Sequence, residues 1–198
     1  MRSTWNKGVV ATEDMPDYVL DNSAELATVE KKQLDTPAAL RSSSTTQETL
    51  RKVEAKGYDT LYGNFEEGNT PFKGVSVSGM TISELTAFSQ ASGAYGQYVK
   101  PRLSKNTYAY KKGYTSTPMG KYQIVGSTLR DLTNRMKLPS DTVFNKETQD
   151  KMFLFLAREN VAKGNTTQAK RKNLRSIWEG FKHVDNATLD QVIAEIEQ

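Results

Sequence analysis

From Gln123 onward the apolar residues recur at helical spacing, and this run constrains the fold more than anything else in the chain. Ile124, Leu129, Leu132 and Met136 form one stripe before the Leu138-Pro139 break. A strongly apolar helix is expected over 145–163, with Met152, Phe153, Phe155 and Leu156 central to the core. Leu174, Ile177, Trp178 and Phe181 make a third stripe; Leu189, Val192, Ile193 and Ile196 make the last. Upstream, Thr81 and Glu84 have capping-box spacing and open a helix carrying Ile82, Leu85 and Phe88, expected to end near Ser92-Gly93. Thr45 and Glu48 repeat that spacing ahead of Leu50 and Val53, and Gly57 suits the residue just past a helix end. Between these helices, residues 57–80 carry Gly63-Asn64, Gly68-Asn69 and Ser78-Gly79, which is hairpin and turn composition. A Tyr-rich loop follows, with Tyr95, Tyr98, Tyr108, Tyr110 and Tyr114 among basic residues. The order predicts an α+β domain over residues 45–198, mostly helical with a small irregular β region.

Residues 1–44 read differently. Apolar residues are sparse, and Ser42-Ser43-Ser44 leads into Thr45-Thr46 as a linker would. A short helix over about 22–34 would show only a thin stripe of Leu26, Val29 and Leu34. Such an extended arm is either weakly ordered or ordered by docking on a partner. Trp5, Val9-Val10 and Tyr18-Val19-Leu20 favour docking, because apolar anchors are wasted in a free tail. Met1-Arg2-Ser3-Thr4-Trp5 has no apolar stretch of the secretory type. Nor does any apolar run approach the roughly 20 residues that span a bilayer.

Composition removes most chemistries. The 198 residues contain no cysteine, so there is neither a disulfide framework nor a thiol nucleophile. The single histidine, His183, excludes a multi-histidine metal site and makes a Ser-His-Asp triad improbable. No phosphate-cradling glycine loop is present, and no metal or organic cofactor is expected. The net charge of +4 assists binding to an anionic polymer without dominating it. No basic tail or aromatic-basic ladder marks a dedicated nucleic-acid binder. Carboxylate catalysis remains.

Glu54 is the best acid candidate, near the end of the first helix where the chain passes into the polar Gly57-Tyr58-Asp59 loop. A carboxylate there opposes the negative end of the helix dipole. That placement and burial would raise its pKa, as a general acid at neutral pH requires. Asp59, the nearest second carboxylate, suits turn-making. As a water-positioning group it would instead convert the reaction to hydrolysis. In Gly120-Lys121-Tyr122-Gln123-Ile124, a Tyr ring and a Gln amide would suit a pyranose and its N-acetyl group. Thr115-Ser116-Thr117-Pro118-Met119 precedes it as a polar loop beside a cleft.

The order of these segments resembles the lambda-type phage lysozymes, lytic transglycosylases of the lysozyme superfamily. The resemblance runs over residues 46–182, through Glu54 with Gly57-Tyr58-Asp59 and Gly63, the Gly120–Ile124 run, Gln149-Asp150 and Ser176-Ile177-Trp178. Lys121 stands where that family usually has arginine, and the arm has no counterpart in the free endolysin. The resemblance implies a lysozyme-like fold and a single catalytic glutamate, Glu54. That group would protonate the oxygen between N-acetylmuramic acid and N-acetylglucosamine, then act as base on the muramic 6-hydroxyl. Tyr122 and Gln123 map onto the sugar-binding turn, and Tyr58, Asp59, Tyr62, Ser116 and Met119 complete the expected substrate contacts. The expected protein is thus a virion-associated, peptidoglycan-cleaving enzyme whose arm docks on a phage tail or internal virion protein. It would act in the host periplasm or wall during genome delivery. A soluble endolysin and a non-cutting virion protein of the same fold are the alternatives.

Overall fold

The computed structural model describes Thr49, residues 56–105 and residues 108–198. The arm, the expected helices at 22–34 and before Gly57, and Glu54 itself lie outside the described residues. The described chain is mostly helical. Its α-helices are α1 (Ile82–Phe88), α2 (Ala94–Val99), α3 (Tyr108–Lys112), α4 (Gly126–Arg135), α5 (Lys146–Ala162), α6 (Thr167–Ile177) and α7 (Asn186–Ile196). No described helix is long and apolar enough to cross a membrane.

Helix α5 is the axis. Asn145 caps it by accepting from the Thr148 N–H at 3.0 Å. Gln149, Met152, Phe153, Leu156, Ala157, Asn160 and Val161 are all buried, covering more than one face, so the helix is enclosed on several sides. Helices α6 and α7 pack on it and on each other. Leu189, Val192, Ile193 and Ile196 supply the buried face of α7 at the expected i, i+3, i+4, i+7 spacing. An Arg171–Asp190 fork with contacts of 2.5 and 2.6 Å joins α6 to α7 at the surface.

Aromatic rings carry the packing from these helices to the rest of the chain. Tyr122 stacks on Phe153 with centroids 4.5 Å apart, Phe153 lies 4.9 Å from Trp178, and Trp178 meets Phe181 edge-on at 5.8 Å. The Trp178 indole N–H donates to the Tyr122 carbonyl at 3.3 Å. Phe72, Phe88, Tyr95 and Tyr98 form a second ring cluster beneath the first half of the chain.

The Thr81–Glu84 capping box is present in both directions, with the Thr81 N–H on Glu84 at 2.8 Å and the Glu84 N–H on the Thr81 hydroxyl at 3.2 Å. Helix α1 stops at Phe88, short of Ser92-Gly93. Its end crosses the start of α4 closely. A Cβ on Gly126 would come within 2.8 Å of the Ser89 carbonyl oxygen. Helix α4 starts at Gly126, three residues later than Gln123, because Gln123 has φ +47° and Ile124 turns back to pair with Met119.

Residues 57–80 correct the expected β region. They form successive tight turns, including Asn64 N–H to Leu61 O, Glu67 to Asn64, Lys73 to Thr70 and Met80 to Val77. Among the described residues pairing is confined to the isolated antiparallel bridges Leu61–Met119, Thr81–Val143 and Met119–Ile124. The reason is local: glycines and asparagines close turns every few residues, leaving no stretch with the alternation a strand needs. The Tyr-rich loop is likewise two short helices, α2 and α3, because Tyr95, Val99 and Ala109 find core positions at helical spacing.

Phe153 is buried between the rings of Tyr122 and Trp178, so its truncation is expected to be costly. Phe153→Ala should lower unfolding free energy by about 3–5 kcal/mol with an unchanged urea m-value. A loss below about 1 kcal/mol would show that the ring chain does not connect the helices to the turn.

Candidate functional site

The Gly120–Ile124 turn is built against the 57–61 segment, which begins three positions after Glu54. The Gly120 N–H donates to the Thr60 carbonyl at 2.9 Å, Leu61 pairs with Met119, and the Gln123 amide donates to the carbonyls of Thr60 (3.2 Å) and Gly120 (2.9 Å). Gly120 has φ +72°. A Cβ there would overlap the Gln149 amide oxygen and lie 3.0 Å from the Phe144 ring, so both backbone shape and space demand glycine.

Gln149 itself is fully buried. Its amide oxygen accepts from the Lys121 N–H at 2.9 Å, and its amide nitrogen donates to the carbonyls of Tyr58 and Phe144, each at 2.9 Å. One side chain at the head of α5 thus holds the Tyr58 loop, the turn and the approach to α5 together.

Beside it, Asp150 collects three donors. The hydroxyls of Tyr58 and Tyr122 donate to Oδ1 at 2.9 and 2.6 Å, and Lys146 Nζ meets Oδ2 at 2.7 Å. The Lys121 ammonium lies 3.5 Å from the Tyr58 hydroxyl, and both Lys121 and Lys146 stand over the Tyr58 ring. Burial, then the Asp150 charge and hydrogen bond, push the Tyr58 phenol up to about 12. The same causes, burial foremost, raise Tyr122 further. Burial lowers the Lys121 ammonium against the pull of Asp150, while the Asp150 hydrogen bond raises Lys146. Both phenols are therefore neutral donors across the physiological range. Asp150, 13% exposed, receives two phenols and an ammonium and so clamps three side chains together.

The expected substrate contacts divide. Tyr58, Tyr122 and Gln123 come together around Gln149 and Asp150. Met119 is fully buried and Tyr122 is 4% exposed, with its ring on Phe153, so their side chains belong to the core and offer no sugar platform. Both Gln123 amide hydrogens are committed to main-chain carbonyls. Asp59 ties its loop to residues 76–78 instead of closing a turn within it, accepting from the Ser76 hydroxyl at 2.9 Å and the Ser78 N–H at 2.7 Å. The Tyr62 hydroxyl faces residues 102–104, donating to Arg102 O and accepting from the Ser104 N–H. Ser116 is half-buried in its loop. Sequence reasoning assigned no role to Lys146 or Asp150, although their i, i+4 spacing at a helix start signals an ion pair.

Among the described residues no group of three or more histidines and carboxylates could hold a metal ion. No family model, curated protein or solved structure matches the chain.

The phenol cluster gives stability a defined alkaline limit. The folded chain holds the Tyr58 proton to about 12, whereas the unfolded chain releases it near 10. The folded state therefore binds more protons in that window, and its stability, fully present below 10, falls as pH rises through it. Urea midpoints measured upward from pH 9 should decline, and Tyr58→Phe should flatten the decline. An equally steep slope in Tyr58→Phe would contradict the assignment.

Proposed function

We propose that this chain is a peptidoglycan-cleaving enzyme of lysozyme-like type, in which Glu54 serves first as acid and then as base at the bond between N-acetylmuramic acid and N-acetylglucosamine. The observation that carries the reading is the locking of the Gly120–Ile124 turn onto residues 57–61, which begin three positions after Glu54 in sequence. The expected chemistry requires that juxtaposition of the segment after the acid with the Gly-Lys-Tyr-Gln turn.

The neighbouring carboxylates support the choice of Glu54. Asp59 is held by Ser76 and Ser78, Glu66 accepts from the Leu61 N–H at 2.8 Å, and Asp150 is clamped by Tyr58, Tyr122 and Lys146. A general acid must be able to lose and regain its proton at the substrate. Carboxylates fixed as acceptors within the fold are poor candidates. With Asp59 engaged in the loop, a second carboxylate for hydrolysis is wanting at that position, which favours attack by the muramic 6-hydroxyl and an anhydro product.

Glu54→Gln should lower the rate of solubilisation of purified sacculi by about 10²–10⁴-fold while the thermal midpoint is unchanged. Full activity in a folded Glu54→Gln protein would end the assignment.

The setting proposed is a phage particle, with residues 1–44 docked on a tail or internal virion protein and the enzyme opening the wall locally during genome delivery. Deleting residues 1–44 should abolish incorporation into particles while free activity on sacculi persists. Unchanged incorporation would defeat the tether, and absence of the intact protein from purified particles would favour a soluble endolysin. One observation favours a different class: the Tyr122 ring and the Gln123 amide hydrogens are engaged within the fold. A virion protein that keeps the lysozyme-like fold without cutting would show the same engagement, and peptidoglycan zymography separates it from the enzyme.

A further inference from the structure

The charge of this chain is gathered into two stretches of opposite sign. From residue 85 to residue 130 there is no Asp or Glu, while seven residues are Lys or Arg. In the arm the reverse holds. Between Lys7 and Lys31 there is no Lys or Arg, while Glu13, Asp14, Asp17, Asp21, Glu25 and Glu30 are acidic. The net charge of +4 conceals both.

The basic stretch finds no acid within the fold. Lys100, Arg102, Lys105 and Lys111 are exposed, and none of the four lies within ion-pair distance of a carboxylate among the described residues. Elsewhere the surface differs: Lys56 pairs with Glu67, Lys146 with Asp150, Lys170 with Glu197 and Arg171 with Asp190. The Arg102 guanidinium is held in place, 3.7 Å from the Tyr98 ring centroid and donating to the Tyr98 carbonyl at 2.8 Å. The Tyr62 hydroxyl pins Arg102 O and the Ser104 N–H, which fixes the chain leading to Lys105. The ends of α2 and α3 meet at an open surface depression whose lining includes Lys100, Pro101 and Gly113, so the Lys100–Arg102 turn and the chain around Lys111 border one face. Cations grouped without local acids repel one another and favour any anion that covers them.

We propose that residues 13–30 of this chain cover that face, their carboxylates meeting Lys100, Arg102, Lys105 and Lys111, and so keep other anions off it. The charges are complementary, with no cation in the acidic segment and no acid in the basic one. The chain can also reach. Nineteen positions separate Glu30 from Thr49, the buried residue at which the described chain begins. That length spans up to about 60 Å extended and about 25 Å as a flexible coil, against a radius of gyration of roughly 15 Å for a domain of this size.

Tethering then decides between occupants. A segment on so short a tether has an effective concentration on the order of a millimolar, so a contact with an intrinsic dissociation constant of about 0.1 mM is about nine-tenths formed. Glycan, nucleic acid or a lipid surface would satisfy the same charge, but each must displace the arm. Met15, Tyr18, Val19 and Leu20 lie among the acids and add apolar contact that a bare polyanion lacks. A protein that captured the arm would thereby uncover the basic face. This inference goes beyond the wall-cleaving reading and does not depend on it.

The test is zero-length carbodiimide coupling of the intact chain, with the joined peptides identified by mass spectrometry. Peptides from 13–30 should be joined to those containing Lys100, Lys105 or Lys111 at about 10 mM salt. The yield should fall about fivefold at about 1 M salt, where the screening length shrinks from about 30 to about 3 Å. Coupling spread evenly over the exposed lysines would overturn the contact. So would joined pairs that mix an isotope-labelled chain with an unlabelled one, since these place the segment on a second copy. Full-chain variants and a labelled heparin oligosaccharide give a second measurement. Asp17→Asn combined with Asp21→Asn should bind this polyanion about threefold more tightly than the parent. Asp141→Asn combined with Glu147→Gln changes the net charge equally, at exposed positions in the domain, and should leave the affinity nearly unchanged. Equal tightening by both pairs would show net charge alone at work and would defeat the proposal. Neither readout involves Glu54 or cleavage, so a failed Glu54→Gln comparison leaves this contact standing.

Discussion

The buried amide of Gln149 is the interaction on which the rest of this structure depends. A fully enclosed amide must satisfy its donors and acceptor inside the protein, since each unpaired group costs about 1–3 kcal/mol. Gln149 does so by bonding Lys121 N, Tyr58 O and Phe144 O. These lie on three segments distant in sequence, so one residue sets how they meet. Gly120 is the complement of that arrangement, because only a residue without a Cβ leaves room for the amide oxygen. The Asp150 clamp then tightens the same junction from the side, and the Tyr122–Phe153–Trp178 rings fasten it to the helices.

This frame shapes the functional reading. Groups that sequence reasoning offered to a sugar are engaged in the fold: Tyr122 by Phe153, Gln123 by the carbonyls of Thr60 and Gly120, Met119 by its bridges. The turn therefore fixes the position of residues 60–61 and leaves none of these three side chains free. Tyr95 joins α2 to the same frame through Tyr62 N and Pro118 O.

Much of the helical part was legible in the sequence. The apolar helix over 145–163, the Thr81–Glu84 box, and the stripe of Leu189, Val192, Ile193 and Ile196 are local signals that tertiary packing reinforces. Residues 57–80 were misread because glycine-asparagine pairs mark turns without revealing whether strands lie between them. The late start of α4 was hidden in Gln123, whose left-handed backbone is imposed by its own amide bonds and the Met119–Ile124 pairing. For the site, Gln149-Asp150 stood out as part of a resemblance. Its structural role was invisible, since it depends on partners 28 and about ninety residues away.

The most direct measurement is mass spectrometry of the soluble fragments released when the purified protein is incubated with sacculi. The account predicts disaccharide muropeptides ending in 1,6-anhydromuramic acid. Release of free peptides alone, or of nothing at all from sacculi that a known muramidase dissolves, would contradict it.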